Sequence, residues 1–175
     1  MKDSEYDIIC GKCIDENGCD SVAKFSKNSF SLSKNKFSGG FIEATTFTKR
    51  EVLEKFKFDE NLGVGNFHGA EEGFDWIFSI LKENKFHAYF ETNLKFYHPS
   101  VITKMDKKLL LHRVFSYRAG FSYVCLKHKL YFKLFKRIFL VSLAVIYYRL
   151  TNPYKFRYYF AEILGILSGI ILPPK

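Results

Sequence analysis

Three carboxylates stand close together near the middle of the chain, in the run Gly63-Val64-Gly65-Asn66-Phe67-His68-Gly69-Ala70-Glu71-Glu72-Gly73-Phe74-Asp75-Trp76. Glu72 and Asp75 are three residues apart and Glu71 and Asp75 four, so on a helix they share a side. A glycine-rich loop would deliver them to the first turn of that helix, where the helix dipole favours negative charge and keeps it ionised. A carboxylate held there can take a proton from a hydroxyl nucleophile. Ordinary N-terminal helix charge has the same pattern. His98, followed by Pro99 at the end of a predicted strand, is a second chemical candidate. It suits either ligation of a divalent metal or a hydrogen bond to nearby backbone. Cys10 and Cys13, with Cys19 beyond, begin a thiolate set, but no fourth ligand follows at finger-like spacing. Cys10 is therefore expected in a sheet core and Cys125 at a helix interface, both as small buried hydrophobes.

The elements that must position these groups differ along the chain. Apolar residues Phe74, Ile77, Phe78 and Leu81 recur at helical spacing, which predicts an amphipathic helix over residues 70–84. Strands are predicted at residues 6–10, 21–25, 41–45, 86–90 and 94–97, with a Ser-, Lys- and Asn-rich loop over 26–40. Thr48 and Glu51 have the spacing of a capping box and predict a short helix after them. Asp59 to Gly65 reads as a loop of special backbone geometry. Three helices are predicted beyond residue 103, over 104–127, 131–150 and 154–172, broken near His128 and at Asn152-Pro153. There is no internal repeat and no long linker.

Composition places the chain among folded proteins of about one domain. It has 175 residues, 47% hydrophobic and 26% charged, which excludes a disordered scaffold. Four cysteines and no opening signal peptide argue against a secreted disulfide framework. Aromatic residues are abundant at 18%, and the net charge is +9. That charge is uneven. Residues 1–100 carry 13 Lys and Arg against 16 Asp and Glu, whereas residues 101–175 carry 14 against Asp106 and Glu162 alone. The expected organisation is therefore an α/β region over 1–100, a mixed sheet covered by helices, followed by a basic, aromatic, α-helical region over 101–175.

In that second region Ile138–Tyr148 is uncharged for 11 residues and Ile163–Pro174 for 12. A membrane-spanning helix needs about 20 apolar residues, so both runs fit a helix lying in the membrane interface better than one crossing it. The stripe Phe135, Phe139, Leu143 and Ile146 would enter an anionic membrane surface. The apolar runs are too continuous for a solvated phosphate-binding face, so nucleic acid is not an expected partner. Packing of these helices as an ordinary subdomain is the plain alternative.

The segments Phe58-Asp59-Glu60-Asn61-Leu62-Gly63-Val64-Gly65, Gly69-Ala70-Glu71-Glu72-Gly73-Phe74-Asp75 and Phe96-Tyr97-His98-Pro99 resemble, in order and spacing, family 2 glycosyltransferases of the GT-A fold. Phe41-Ile42-Glu43-Ala44 and Lys49-Arg50-Glu51 resemble the strand and basic turn upstream of them, so the likeness runs from about residue 6 to 100. It implies a partial GT-A-like domain, the acceptor-side half, that transfers a sugar from a nucleotide-sugar donor to a glycan or lipid-linked acceptor. The setting it implies is the making of a bacterial surface polysaccharide at the cytoplasmic face of a membrane, by peripheral or interfacial attachment. One of the acidic residues would be the catalytic base. Two registers fit: a direct match of the pair Glu71-Glu72 makes Glu72 the base, with Glu71 as the other candidate, and a match anchored on Asp75 and Leu81 puts Glu72 first and Gly73 at the second acidic place, throwing the role onto Glu72 or Asp75. By the same resemblance His98 would help ligate a divalent metal, Mg²⁺ or Mn²⁺, on the departing diphosphate. The family's Asp-x-Asp motif has no counterpart in residues 1–100. The resemblance therefore implies a missing nucleotide-binding half, carried by a preceding segment or a separate chain, and weak binding of donor and metal by this chain alone. A non-catalytic, truncated membrane-peripheral module is the alternative reading.

Overall fold

The computed structural model describes residues 5–99 and 106–172. They form two compact units: residues 5–58 with 73–99, and residues 59–72 with 106–172. The protein is mixed α/β. The loop that carries Glu71 and Glu72 thus folds with the C-terminal helices rather than with the sheet residues on either side of it, an excursion that a single boundary after residue 100 does not contain.

The first unit is a four-stranded mixed sheet. Its strands are β1 (Ile8–Ile14), β2 (Phe30–Ser31), β3 (Thr46–Thr48) and β4 (Ala88–Tyr97), in the order β2-β4-β1-β3. β1 and β4 are parallel, and the outer pairings are antiparallel. Two helices belong to this part of the chain, α1 (Arg50–Lys55) and α2 (Glu72–Glu83). Trp76, Ile77, Ile80 and Leu81 of α2 join Ile8, Cys10, Ala88 and Phe90 of the sheet in one core. The Trp76 indole N–H donates to the Phe56 carbonyl at 3.0 Å, so its polar atom is satisfied on burial. Gly11 sits where the register between β1 and β4 slips. A Cβ there would lie 2.4 Å from the Leu94 carbonyl oxygen, so only glycine lets the strands approach. Cys10 is buried in this core, as expected.

Several predicted elements take other forms. Residues 21–25 are irregular rather than a strand, because the Asp20 carboxylate accepts from the Phe25 N–H at 2.9 Å and turns the chain locally. Residues 43–45 form a 3₁₀ turn instead of a strand, with the Thr45 and Thr46 hydroxyls donating to the Ile42 carbonyl at 3.0 and 2.9 Å. Thr48 ends β3, and α1 starts after Lys49 with no side-chain cap, so the capping box does not form. The two short strands expected over 86–97 are one ten-residue strand, β4.

The second unit is built on α3 (Lys107–Lys127), α4 (Tyr131–Thr151) and α5 (Pro153–Ile171), close to the predicted spans. Asp106 caps α3 by accepting from the Lys108 and Leu109 N–H groups at 3.0 and 3.3 Å. Asn152 caps α5, with Pro153 in its first turn. Phe121, Cys125, Leu134, Val141 and Ile166 form the core, which places Cys125 at the expected helix interface. α3 and α5 touch through small residues: a Cβ on Gly165 would lie 2.2 Å from the Phe115 carbonyl oxygen, and one on Gly169 2.2 Å from that of Ala119. Glu162 of α5, fully buried, accepts from Arg137 of α4 at 2.7 Å and faces Arg118 of α3 at 2.7 Å, so one carboxylate joins three helices. Among the described residues no helix is long and apolar enough to cross a membrane. The outer side of α4 exposes Phe132, Phe135, Phe139, Leu143, Ile146 and Leu150 along one stripe.

Candidate active site

The loop of residues 59–72 is fastened at its start by Asp59. One carboxylate oxygen accepts from the Tyr123 hydroxyl and the Lys127 ammonium, both at 2.7 Å, and the other accepts from the Asn61 backbone and side chain at 3.1 and 3.0 Å. Burial alone would raise the Asp59 carboxyl. The hydrogen bonds from Lys127, Tyr123 and Asn61 outweigh it and hold the group far below the usual carboxylate range. Gly63 and Gly65, at φ of 105° and 100°, take conformations that other residues rarely adopt. Asn66 donates to the carbonyls of Glu60 and Leu62 at 3.0 and 2.9 Å, which closes the loop on itself.

His68 is buried, its ring tilted against that of Tyr123 at 5.2 Å, and burial lowers its pKa. The loop then runs flush along α3. The Gly69 N–H donates to the Ser116 carbonyl at 3.0 Å, and a Cβ on Gly120 would come within 2.5 Å of the Ala70 carbonyl oxygen. No other residue type fits Gly120 without moving the loop.

Glu71 follows, at φ 78°, a strained conformation for a residue with a Cβ and one that recurs at functional sites. Its carboxyl lines a cavity of about 240 Å³ together with Arg113, Tyr117, Arg118 and Tyr158. Burial raises its pKa, and the negative charge of Glu72 adds to the rise. Lys133 and Arg118 oppose it without cancelling it. Glu72 opens α2 and turns back to the loop, its carboxylate lying 3.6 Å from where a Cβ on Gly63 would be. A second cavity, of about 360 Å³, lies between the Val64–Gly65–Asn66 stretch and Leu109, His112 and Ser116 of α3, and it shares Arg113 and Tyr117 with the first.

Asp75 and His98 belong to the sheet unit. Asp75 is buried in α2. His98 is partly exposed at the end of β4; its N–H donates to the Ile14 carbonyl at 2.9 Å and its Nδ1 lies 2.9 Å from the Pro99 carbonyl oxygen. Among the described residues no three His, Cys, Asp or Glu converge as a metal site, and no step is drawn through a cation. The same holds for the Cys10, Cys13 and Cys19 set.

Sequence reasoning did not find Arg113, Tyr117, Arg118, Tyr158 or the Asp59 anchor. The first three share α3 with Leu110 and Val114 at helical spacing, a face legible in retrospect. Asp59 and Lys127 are too far apart in sequence to be paired by pattern. Among known proteins, no family model, no curated protein and no solved structure matches the chain.

Proposed function

We propose that this chain is the acceptor-side part of a family 2-like glycosyltransferase of GT-A-like fold, with Glu71 as its general base. The observation that carries this reading is Glu71 itself: a carboxyl with a raised pKa, on a strained backbone, opening into a cavity walled by two arginines and two tyrosines. A base works best when its pKa approaches the working pH, and burial moves Glu71 in that direction. Its carboxylate takes the proton from an acceptor hydroxyl while that oxygen attacks the anomeric carbon of the donor sugar. The bond from that carbon to the phosphate oxygen breaks, and the nucleoside diphosphate leaves with the electron pair. The proton then passes from Glu71 to solvent. The donor is held by a nucleotide-binding half supplied outside the described residues. Glu72, packed on the loop beside Gly63, acts by raising the basicity of Glu71.

The exposed apolar stripe of α4, on a helix with no acidic residue, supports attachment to an anionic membrane surface, on its cytoplasmic side where nucleotide-sugars would be used. That stripe alone would also serve a non-catalytic membrane module, so catalysis decides between the two readings. Membranes from cells making the full chain are given labelled nucleotide-sugars, and transfer to glycan and lipid is compared across variants. Glu71→Gln is expected to lose about 10²–10⁴-fold and Glu72→Gln much less. The acid limb of the wild-type profile should lie above the ordinary glutamate value of about 4.3, because protonated Glu71 is inactive. Undiminished transfer by Glu71→Gln would move the base to Glu72 or Asp75, whereas wild-type transfer no greater than that of membranes without the chain would leave the membrane module as the better reading.

A further inference from the structure

The two cavities share one wall, and that wall carries a cation with no carboxylate partner among the described residues. The Arg113 guanidinium lies over the Tyr117 ring, 4.8 Å from its centre. Its neighbours are committed elsewhere: Arg118 and Arg137 face Glu162, and Lys127 faces Asp59. The hydroxyls of Tyr117 and Tyr158, which line the Glu71 cavity, form no hydrogen bond among the described residues. One arginine free of a carboxylate and two tyrosines thus border a space whose lining also holds Arg118 and Glu71. An arginine fork with additional donors matches an oxyanion with several acceptor oxygens, the geometry of a phosphate. The second cavity extends from the same Arg113 toward Val64 and Leu109, both exposed apolar side chains.

We infer that the cavities form one bipartite acceptor site, in which Arg113 holds a phosphate that joins a hydroxyl-bearing part of the acceptor, beside Glu71, to an apolar part, against Val64 and Leu109. The acceptor class is therefore a phosphate-linked lipid rather than a neutral glycan. Its role as acceptor rests on the glycosyl-transfer reading; the phosphate site itself does not.

Binding to the full chain is measured by calorimetry with three probes below their micelle concentrations: a short-chain alkyl phosphate, inorganic phosphate, and the uncharged alkyl glycoside of equal chain length. The alkyl phosphate is expected to bind about tenfold more tightly than either of the others. Arg113→Gln should remove at least about tenfold of that affinity, and Arg113→Lys, which keeps the charge, should recover part of it. Circular dichroism and a thermal melt establish that each variant is folded. If Arg113→Gln does not fold, the Lys variant and the probe ranking decide. An alkyl glycoside that binds as well as the alkyl phosphate, or a folded Arg113→Gln with full affinity, overturns the phosphate site. Inorganic phosphate binding as tightly as the alkyl phosphate overturns the lipid half of the inference. Glu71→Gln separates the two readings: it should keep or strengthen alkyl phosphate binding while losing transfer. Loss of transfer in Glu71→Gln alongside intact binding in Arg113→Gln would retain the enzyme and remove the phosphate site.

Discussion

Asp59 shows how one side chain sets the frame for another. Its hydrogen bonds to Tyr123 and Lys127 fix the start of the loop that ends in Glu71, and they require the ionised carboxylate. Because its folded pKa is depressed, its contribution is present above the unfolded value of about 3.9 and fades as pH falls through the folded value. Asp59→Asn should therefore destabilise the protein by about 1.5–3 kcal/mol at neutral pH. Urea melts across pH should show the gap between wild type and variant shrinking steadily below pH ~4. A gap that is the same at pH ~2 and at neutral pH would mean that the charge is not what holds the loop. Glu71 has the opposite sign. Its burial favours the protonated form, so the same loop holds one carboxylate ionised and shifts another toward its neutral state.

Between elements, backbone proximity does much of the work. α3 and α5 meet where Gly165 and Gly169 leave room for the carbonyls of Phe115 and Ala119, and the loop of residues 59–72 meets α3 at Gly69 and Gly120. Gly165→Ala would place a methyl group against backbone that cannot move independently of its helix. The expected cost is about 1–3 kcal/mol, each kcal/mol lowering the melting temperature by roughly 2–4 °C for a chain of this size. A melt unchanged by Gly165→Ala would mean that the helices separate freely. Since α3 supplies Arg113, Tyr117 and Arg118 and α5 supplies Tyr158, the same substitution should also lower alkyl phosphate affinity.

Taken whole, the protein concentrates its net positive charge and most of its exposed apolar side chains in the same part of the chain. α4 carries Lys133, Lys136, Arg137 and Arg149 and no acid, beside a stripe from Phe132 to Leu150. Each Lys or Arg near an anionic leaflet is worth about 1 kcal/mol, and the apolar stripe adds a part that salt does not screen. Co-sedimentation with anionic vesicles should accordingly weaken, but persist, as salt is raised. Alkaline carbonate should release the chain, because Ile138–Tyr148 would rise only about 17 Å as a helix against a ~30 Å hydrocarbon core. A chain that ignores anionic vesicles at low salt would remove the membrane from the proposal.

Local signals were enough for much of this architecture. Helical spacing of Phe74, Ile77, Phe78 and Leu81 marked α2, Asn152-Pro153 marked the break before α5, and the absence of acid beyond Asp106 apart from Glu162 marked a distinct second half. These features are written in neighbouring residues, where periodicity and capping act. The 3₁₀ turn at Glu43–Thr45 and the irregular course of residues 21–25 were not legible, because threonine hydroxyls and an aspartate diverted backbone that strand propensity would have extended. Proposing Glu71 as the base needed the fold as well. Two adjacent glutamates are equivalent in sequence, and only the loop's path along α3 turns one into a cavity beside Arg113 while leaving the other against Gly63. Burial and long-range charge are properties of chain segments brought together in space, and no spacing along the chain encodes them.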